Sequence, residues 1–331
     1  MNTKTFKALM LLTLWMIVLS LPSSGTASSK SATASTEAAS QDPPARFHHV
    51  RLNVTDPKAS VEYYQKFFSA VPIKFRGVSD ALLTNRSFIL FNTVPKRASN
   101  NSRTALWHIG WGGIDGPSEY SWRNAQGMQW AKDLVTVGDN LVHFMYASGP
   151  DQEIVEIWTG TPYQRYNHVH LLANDPNVTR DWYIDNLGAR GDKKYIPNPG
   201  LPPPSMTFRD DPKKLFAAIW NTVAVVDGVI FNIFGIPSEP VFWWDDGLID
   251  KFEKTEGHVI NHFAFSYPDI EPVYKRMKKN GVTIVKGIRW DKKLKMKSFF
   301  VRAPDNVLVE IVEADPIPDA SWLRHIQSRY E

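Results

Sequence analysis

The 331-residue sequence contains no cysteine. Thiolate metal ligands, thiol nucleophiles and disulfide bonds are therefore excluded, and the fold must rest on its hydrophobic core alone. The sequence also has almost balanced positive and negative charges. Its formal net charge is +4, and Lys4 and Lys7 supply two of these charges. A balance so close to neutral lacks the basic footprint of a nucleic-acid-binding protein, so we expect no nucleic-acid partner.

Long apolar runs are also scarce, and the clearest one lies near the N-terminus. It extends from Ala8 to Leu21, follows two lysines and precedes a stretch of small residues that ends at Ala27. The run is short for a membrane span, which needs about 20 residues, and the pattern is typical of a secretory signal peptide. We expect residues 1–27 to be a cleaved signal peptide and residues 28–44, rich in Ser, Ala and Thr, to be a flexible linker.

Cleavage of this segment would give an exported protein, periplasmic or secreted, with no stable membrane association. The alternative is that the segment stays attached as a membrane anchor, and the length of the apolar run argues against it.

An internal repeat organises the rest of the chain. The stretch FHHVRLNVTDP, residues 47–57, returns 119 residues later as YNHVHLLANDP, and looser copies begin at Trp107 and Asn261. Each copy has a histidine in its first predicted strand: His49, His108, His168 and His262. Alternating apolar residues, an Asp-Pro helix start and an apolar helical stripe predict a strand, a helix and three further strands. The sequence therefore predicts an α+β protein with four βαβββ modules.

Modules 2 and 3 show irregular features. The helix of module 2 is expected over Ser118–Leu134, although Gly127 weakens it. Module 3 carries two insertions, at residues 190–214 and 236–256, and strands are expected to resume at Leu215–Val226. Long loops of this kind often form lids or binding loops.

Two sets of residues combine two histidines with one glutamate: His49, His108 and Glu156, then His168, His262 and Glu310. The histidines are 59 residues apart in the first set and 94 in the second, and the glutamate follows 48 residues later in both. The 35 extra residues of the second set correspond to the two insertions. Two imidazoles and a carboxylate suit a divalent metal with open positions for substrate or oxygen. Fe²⁺, Mn²⁺ and Zn²⁺ all remain candidates.

With these residues, the chain from Phe47 to Asp315 resembles a tandem member of the vicinal oxygen chelate superfamily. That superfamily includes glyoxalase I, fosfomycin- and bleomycin-resistance proteins and extradiol dioxygenases. The resemblance implies that the modules pair into two glyoxalase-like domains with cupped mixed sheets, each around a metal. We expect residues 45–160 to form the first domain, residues 161–316 the second, and residues 317–331 a C-terminal tail. It also implies that the six His and Glu residues above are metal ligands.

The resemblance extends to the pocket. In extradiol dioxygenases and fosfomycin-resistance proteins a tyrosine ten residues before the ligand glutamate faces the substrate. Tyr146 holds that place before Glu156, and Phe300 holds it before Glu310. We interpret His170 as a pocket-facing residue rather than a ligand, and Tyr146 and His170 as the candidates for proton transfer. His48 is expected to face the helix side of its sheet.

Two classes of function remain. The first is an exported metal-dependent enzyme acting on a small oxygen-chelating substrate, aromatic ones included, by dioxygenase, lyase or isomerase chemistry. The second is a protein that sequesters a small molecule, as bleomycin-resistance proteins do. The intact ligand sets favour the enzyme. The substrate, the metal, the oligomeric state and whether one or both sites function are left open by the sequence.

Overall fold

The structure, a computed structural model, describes residues 43–138, 142–200, 212–237 and 249–317. The predicted signal peptide, nearly all of the predicted linker, residues 318–331 of the tail and large parts of both insertions lie outside the described residues. Among the described residues no helix is both long and apolar enough to span a lipid bilayer.

The described elements follow the modular order. Module 1 comprises β1 (Arg46–Val54), α1 (Pro57–Phe68), β2 (Val71–Phe75), β3 (Ser79–Leu83) and β4 (Phe88–Thr93). Module 2 comprises β5 (Leu106–Gly112), α2 (Gly116–Ala125), β6 (Trp130–Val137), β7 (Val142–Ser148) and β8 (Ile154–Trp158). Module 3 comprises β9 (Arg165–Ala173), α3 (Pro176–Leu187), α4 (Pro212–Ala218), β10 (Asn221–Val226) and β11 (Val229–Gly235). Module 4 comprises β12 (Ile260–Tyr267), α5 (Glu271–Lys279), β13 (Thr283–Asp291), β14 (Met296–Arg302) and β15 (Leu308–Glu313).

The Asp-Pro signals start helices as expected. The Asp56 carboxylate accepts hydrogen bonds from the backbone N–H groups of Lys58 and Ala59 at the start of α1, at 2.9 and 3.3 Å. Asp175 caps α3 in the same way, which satisfies backbone donors that have no partner inside the helix. The same device at both sites confirms that modules 1 and 3 are copies of one unit.

Two local predictions were wrong. The helix of module 2 ends at Ala125 rather than Leu134, because Gly127 takes a left-handed φ of +84° and the chain turns into β6. In module 3 the residues before Asn221 form the short helix α4, not a strand. The described part of module 3 therefore has two strands after its helices, where the other modules have three.

The strands of the described residues form two mixed sheets. One has eight strands in the order β13-β14-β15-β12-β1-β4-β3-β2, and the other has seven in the order β10-β11-β9-β5-β8-β7-β6. The α+β fold of paired modules and cupped mixed sheets is confirmed. However, module 1 shares its sheet with module 4, and module 2 shares its sheet with module 3. The expected pairing of consecutive modules, residues 45–160 and 161–316, is therefore wrong.

The connections between modules explain this pairing. Residues 159–164 join β8 to β9 directly, because β9 runs antiparallel beside β5 and begins where β5 and β8 end. The longer connections leading into modules 2 and 4 run side by side, with bridges between Ser99 and His258 and between Thr104 and Glu253. Asn101 tightens this crossing, since its side chain bonds both the N–H and the C=O of Ile260. The chain thus leaves the first sheet once, completes the second, and returns.

The two sheets pack against each other through aromatic side chains. Phe47 of β1 stacks on Tyr166 of β9 with ring centroids 5.4 Å apart, and Phe231 of β11 lies 5.2 Å from Phe263 of β12. These buried rings form a core between the sheets. The opposite face of each sheet remains available for a site.

Candidate metal centres

A β-bulge lies directly before each of the four histidines. The register of the central strand pairs slips by one residue at His48, Trp107, Asn167 and Asn261, which are the residues preceding His49, His108, His168 and His262. A bulge inserts an extra residue and re-aims the neighbouring side chain. The repeated bulge therefore positions the four imidazoles on the cupped faces of the two sheets.

One cluster lies in the sheet of modules 1 and 4, and we call it cluster 1/4. It consists of His49, His262 and Glu310, all buried. Glu310 Oε2 lies 3.3 Å from His49 Nε2 and 3.2 Å from His262 Nε2. The three ligand atoms lie within 4.8 Å of one another.

The other cluster, cluster 2/3, lies in the sheet of modules 2 and 3. It consists of His108, Glu156, His168 and His170, again all buried. Glu156 Oε2 lies 3.2 Å from His108 Nε2, 2.8 Å from His168 Nε2 and 3.0 Å from His170 Nε2. The ring of His170 stacks on that of His108, with centroids 4.4 Å apart.

The structure therefore brings together the six predicted ligands in a different grouping. Each glutamate stays with the histidine of its own module, but His49 and His168 exchange places, because modules pair 1 with 4 and 2 with 3. His170, which we expected only to face the pocket, lies within ligand distance in cluster 2/3. Tyr146 lies beside the same cluster: it pairs with Glu156 across β7 and β8, and its ring centroid is 5.1 Å from that of His108.

Hydrogen bonds with the bulge residues orient three of the imidazoles. His168 Nδ1–H donates to Asn167 Oδ1 at 2.6 Å, and His262 Nδ1–H donates to Asn261 Oδ1 at 2.6 Å. His48, expected on the helix side, turns at its bulge so that its Nδ1 lies 2.8 Å from that of His49. The sequence reasoning missed these partners, although the repeated Asn-His dipeptide of modules 3 and 4 was a signal for them.

The electrostatics of both clusters suit ligands. Burial lowers the pKa of His108 to about 3, and holds the pKa of His49 well below its usual value. Burial by itself would raise the pKa of Glu310, but the adjacent imidazoles of His262 and His49 outweigh this effect, and the pKa lies well below its usual value. The surrounding histidines act in the same sense on Glu156. Neutral imidazoles and ionised carboxylates are the forms that bind metals.

The hydrogen bonding gives a test of whether a cation fits. A neutral His168 that donates from Nδ1 has only a lone pair on Nε2, yet that atom faces a carboxylate oxygen 2.8 Å away. His262 faces Glu310 in the same way, and His49 Nε2 is buried with no hydrogen-bond partner among the described residues. Lone pairs directed at one another are stabilised by a cation between them, so both donor sets fit a divalent metal.

Internal symmetry identifies a fourth position in each cluster. Glu310 and Glu156 pair with the residues two positions after their module's histidine, Ala264 and Gly110. The equivalent pairings in modules 1 and 3 lead to Leu90 and Asn232. Leu90 cannot ligate, so cluster 1/4 is a two-His, one-carboxylate set among the described residues. Asn232 contacts His170 instead, with 3.1 Å between its Nδ2 and the ring Nε2.

Comparisons with known proteins agree with this architecture. Residues 165–311 match the family model described as the Glyoxalase/Bleomycin resistance protein/Dioxygenase superfamily. This continuous stretch covers modules 3 and 4, although they lie in different sheets. No curated protein matches the chain.

Among solved structures, glyoxalase I from Zea mays is similar over 86% of this chain and 96% of its own, with 16% identity and a TM-score of 0.58. A candidate dioxygenase from Bacillus subtilis subsp. subtilis str. 168 is similar over 82% of this chain and 86% of its own, with 10% identity and a TM-score of 0.52. At these identities the structures establish the fold alone. The family match therefore covers residues 165–311, and the solved structures show that the chain has the fold of glyoxalase I.

Proposed function

We propose that the protein is a metal-dependent enzyme that acts on a small substrate with two neighbouring oxygen atoms, and that cluster 2/3 is its reaction centre. The observation that carries the proposal is the convergence of Tyr146 and His170 on the donor set of His108, His168 and Glu156. Cluster 1/4 has Phe300 in place of Tyr146 and Arg51 in place of His170, so it lacks both candidates for proton transfer.

The residues of cluster 2/3 have two roles, metal binding and proton transfer. His108, His168 and Glu156 hold the divalent ion, which when bound supplies Lewis-acid polarisation of the substrate oxygens. His170 takes or returns a proton, and its Nε2 lies 3.1 Å from the side-chain amide of Asn232. Tyr146, whose ring centroid lies 5.1 Å from that of His108, is the second group for proton transfer. The burial of all four cluster residues limits the access of water.

The first experiment measures the metal content of the protein. The mature protein, purified without chelator, is expected to contain bound transition metal, counted per chain by elemental analysis. Glu156→Gln and Glu310→Gln provide a matched pair, because each removes the carboxylate of one cluster. Each should lose one of two metal equivalents, and only Glu156→Gln should abolish turnover of vicinal diols or α-hydroxycarbonyl compounds.

Other results would refute the proposal. Turnover that survives loss of the metal from cluster 2/3 would remove its basis. Tight binding of small aromatic compounds that a chelator leaves unchanged, with no turnover, would instead indicate a sequestering protein. Retention of reaction in Glu156→Gln and its loss in Glu310→Gln would move the reaction centre to cluster 1/4.

We also propose that the protein is exported. The support is the charged start, the apolar run from Ala8 to Leu21 and the small residues up to Ala27. The N-terminal sequence of the protein recovered from outside the cytoplasm should begin near residue 28. Recovery of the intact N-terminus in the membrane fraction would favour an anchor.

A further inference from the structure

The cup around cluster 1/4 differs from its counterpart in charge. Across the internal symmetry, Arg51 pairs with His262 where His170 pairs with His108. Phe300 pairs with Glu310 where Tyr146 pairs with Glu156. Proton-transfer groups in one cup are thus replaced by a cation and an apolar ring in the other.

Arg51 is a largely buried cation with few partners. Its guanidinium donates from Nη1 to Asn92 Oδ1 at a long 3.4 Å, which is its one side-chain hydrogen bond among the described residues. Burial lowers its pKa, as does the nearby positive charge of Arg289, while Glu310 and Asp291 act in the opposite direction. A guanidinium offers five donors in a planar fork, so most of the Arg51 donors have no partner among the described residues.

Two further cations reach the same cup from β13. Lys286 Nζ lies 5.2 Å from the ring centroid of Phe300, and Arg289 Cζ lies 5.1 Å from it. That ring in turn lies 5.4 Å from the ring of His262. Both cations are exposed and therefore stand towards solvent, whereas Arg51 lies deeper. The cup thus presents positive charge at two depths beside the His and Glu residues of cluster 1/4.

The remaining wall is apolar. Leu90 fills the fourth position of the cluster, and it packs in a buried apolar group with Phe75, Met296 and Val312. Phe88 packs against the same group. An inorganic anion would gain nothing from this wall, whereas an organic acid would place its ring or chain there.

We propose that the cup of modules 1 and 4 binds a small organic carboxylate, whose acid group pairs with Arg51 and Arg289 and whose apolar body packs against Phe300 and Leu90. Planar guanidinium groups bind carboxylates with two parallel hydrogen bonds, and Lys286 adds attraction at the mouth. This site is separate from the reaction centre proposed for cluster 2/3 and does not depend on it.

The test compares two ligands that differ only in charge. 3,4-Dihydroxybenzoate and its amide, 3,4-dihydroxybenzamide, are titrated into the mature protein by calorimetry, with the metal content of each preparation counted. The acid is expected to bind at least about tenfold more tightly than the amide, and the difference should shrink as salt is added. Equal affinities, or an equally strong competition by inorganic phosphate, would overturn the proposal.

Three variants locate the effect. Arg51→Met and Arg289→Met should each weaken binding of the acid about tenfold and leave binding of the amide unchanged. Lys292→Met is the matched control, because Lys292 is an exposed cation of the same hairpin, and it should change neither. Arg289 is itself exposed, so its variant remains informative if Arg51→Met fails to fold. A preference for the acid that survives in Arg289→Met and in folded Arg51→Met would refute the assignment.

The result can be separated from that of the proposed reaction. Carboxylate preference is measured in the metal-free and the metal-loaded protein, whereas the reaction is measured in Glu156→Gln. Loss of the preference in a protein that still binds metal and turns over substrate refutes this inference alone. A preserved preference in wild-type protein that binds metal but shows no turnover supports this inference and refutes the proposed reaction.

Discussion

Replacing Gly110 with alanine tests the geometry of cluster 2/3 most directly. Gly110 lies opposite His168 across β5 and β9, and a Cβ built on it would lie 1.9 Å from His168 Nε2 and 2.1 Å from its two neighbouring ring carbons. Non-bonded heavy atoms approach to about 3.5 Å, so the ring would have to move by roughly 1.6 Å. Metal–ligand distances tolerate only about 0.2 Å. Gly110→Ala therefore removes His168 as a ligand without removing its imidazole.

The expected magnitude follows from the loss of one ligand. Changes in the groups that merely orient a ligand cost about 10–100-fold in metal affinity, and displacement of the ligand itself should cost at least the upper end of that range. We therefore expect metal affinity at cluster 2/3 to fall by about 100-fold or more, with cluster 1/4 unchanged. Competition titration with a chromophoric chelator measures the two affinities in one experiment.

Gly257→Ala is the matched control. Its Cβ would have no atom within 4 Å, and its φ does not lie in the left-handed region, so we expect both affinities and the melting temperature to stay at wild-type values. Unchanged metal affinity at both clusters in a folded Gly110→Ala protein would refute the placement of the His168 ring against Gly110. Equal losses at both clusters would show that the substitution disturbs the fold as a whole.

Three further predictions concern other parts of the molecule. Asn261→Ala removes the acceptor of His262 Nδ1–H and should lower metal affinity at cluster 1/4 by about 10–100-fold; an unchanged titration would show that the hydrogen bond does not orient the ring. Tyr146→Phe should reduce turnover by about 100-fold with unchanged metal content, and full activity would exclude it from proton transfer. Burial raises the pKa of Glu153 from 4.5 to about 7, so the folded protein keeps this carboxyl protonated over a pH range in which the unfolded chain ionises it. The stability contributed by Glu153 is therefore complete below pH 4.5 and is lost as the pH rises through about 7. The free energy of unfolding should therefore fall by up to about 3 kcal/mol over this window, and Glu153→Gln should remove that slope in urea melts; an unchanged slope would assign it to another group.

Much of the site could be read from the sequence because its determinants are local. The recurrence of a histidine in the first strand and a glutamate 48 residues later reflects two strands of one module that lie next to each other, β5 with β8 and β12 with β15. His108 with Glu156 and His262 with Glu310 were therefore assigned correctly as neighbours. The Asp-Pro helix starts were equally readable, since a capping side chain bonds backbone groups two or three residues away.

The third ligand of each cluster was not readable in this way. It comes from another module, and its identity depends on which first strands pair across the middle of a sheet. Module 1 is equally compatible with module 2 or module 4 as a partner, because each offers the same alternating strand with a histidine. The contact of His170 with Glu156 could not be predicted for a related reason. It depends on the antiparallel pairing of β9 with β5.

By itself, then, the sequence determined four modules, the α+β fold and the identity of the residues that line the cups. Periodicity, caps and repeats are properties of neighbouring residues. Only the tertiary structure decided that His49 joins His262 and that His168 joins His108. That choice rests on a six-residue connection at residues 159–164 and on the crossing of the two longer connections at Ser99 and His258. Such contacts join residues far apart along the chain, and no local pattern encodes them.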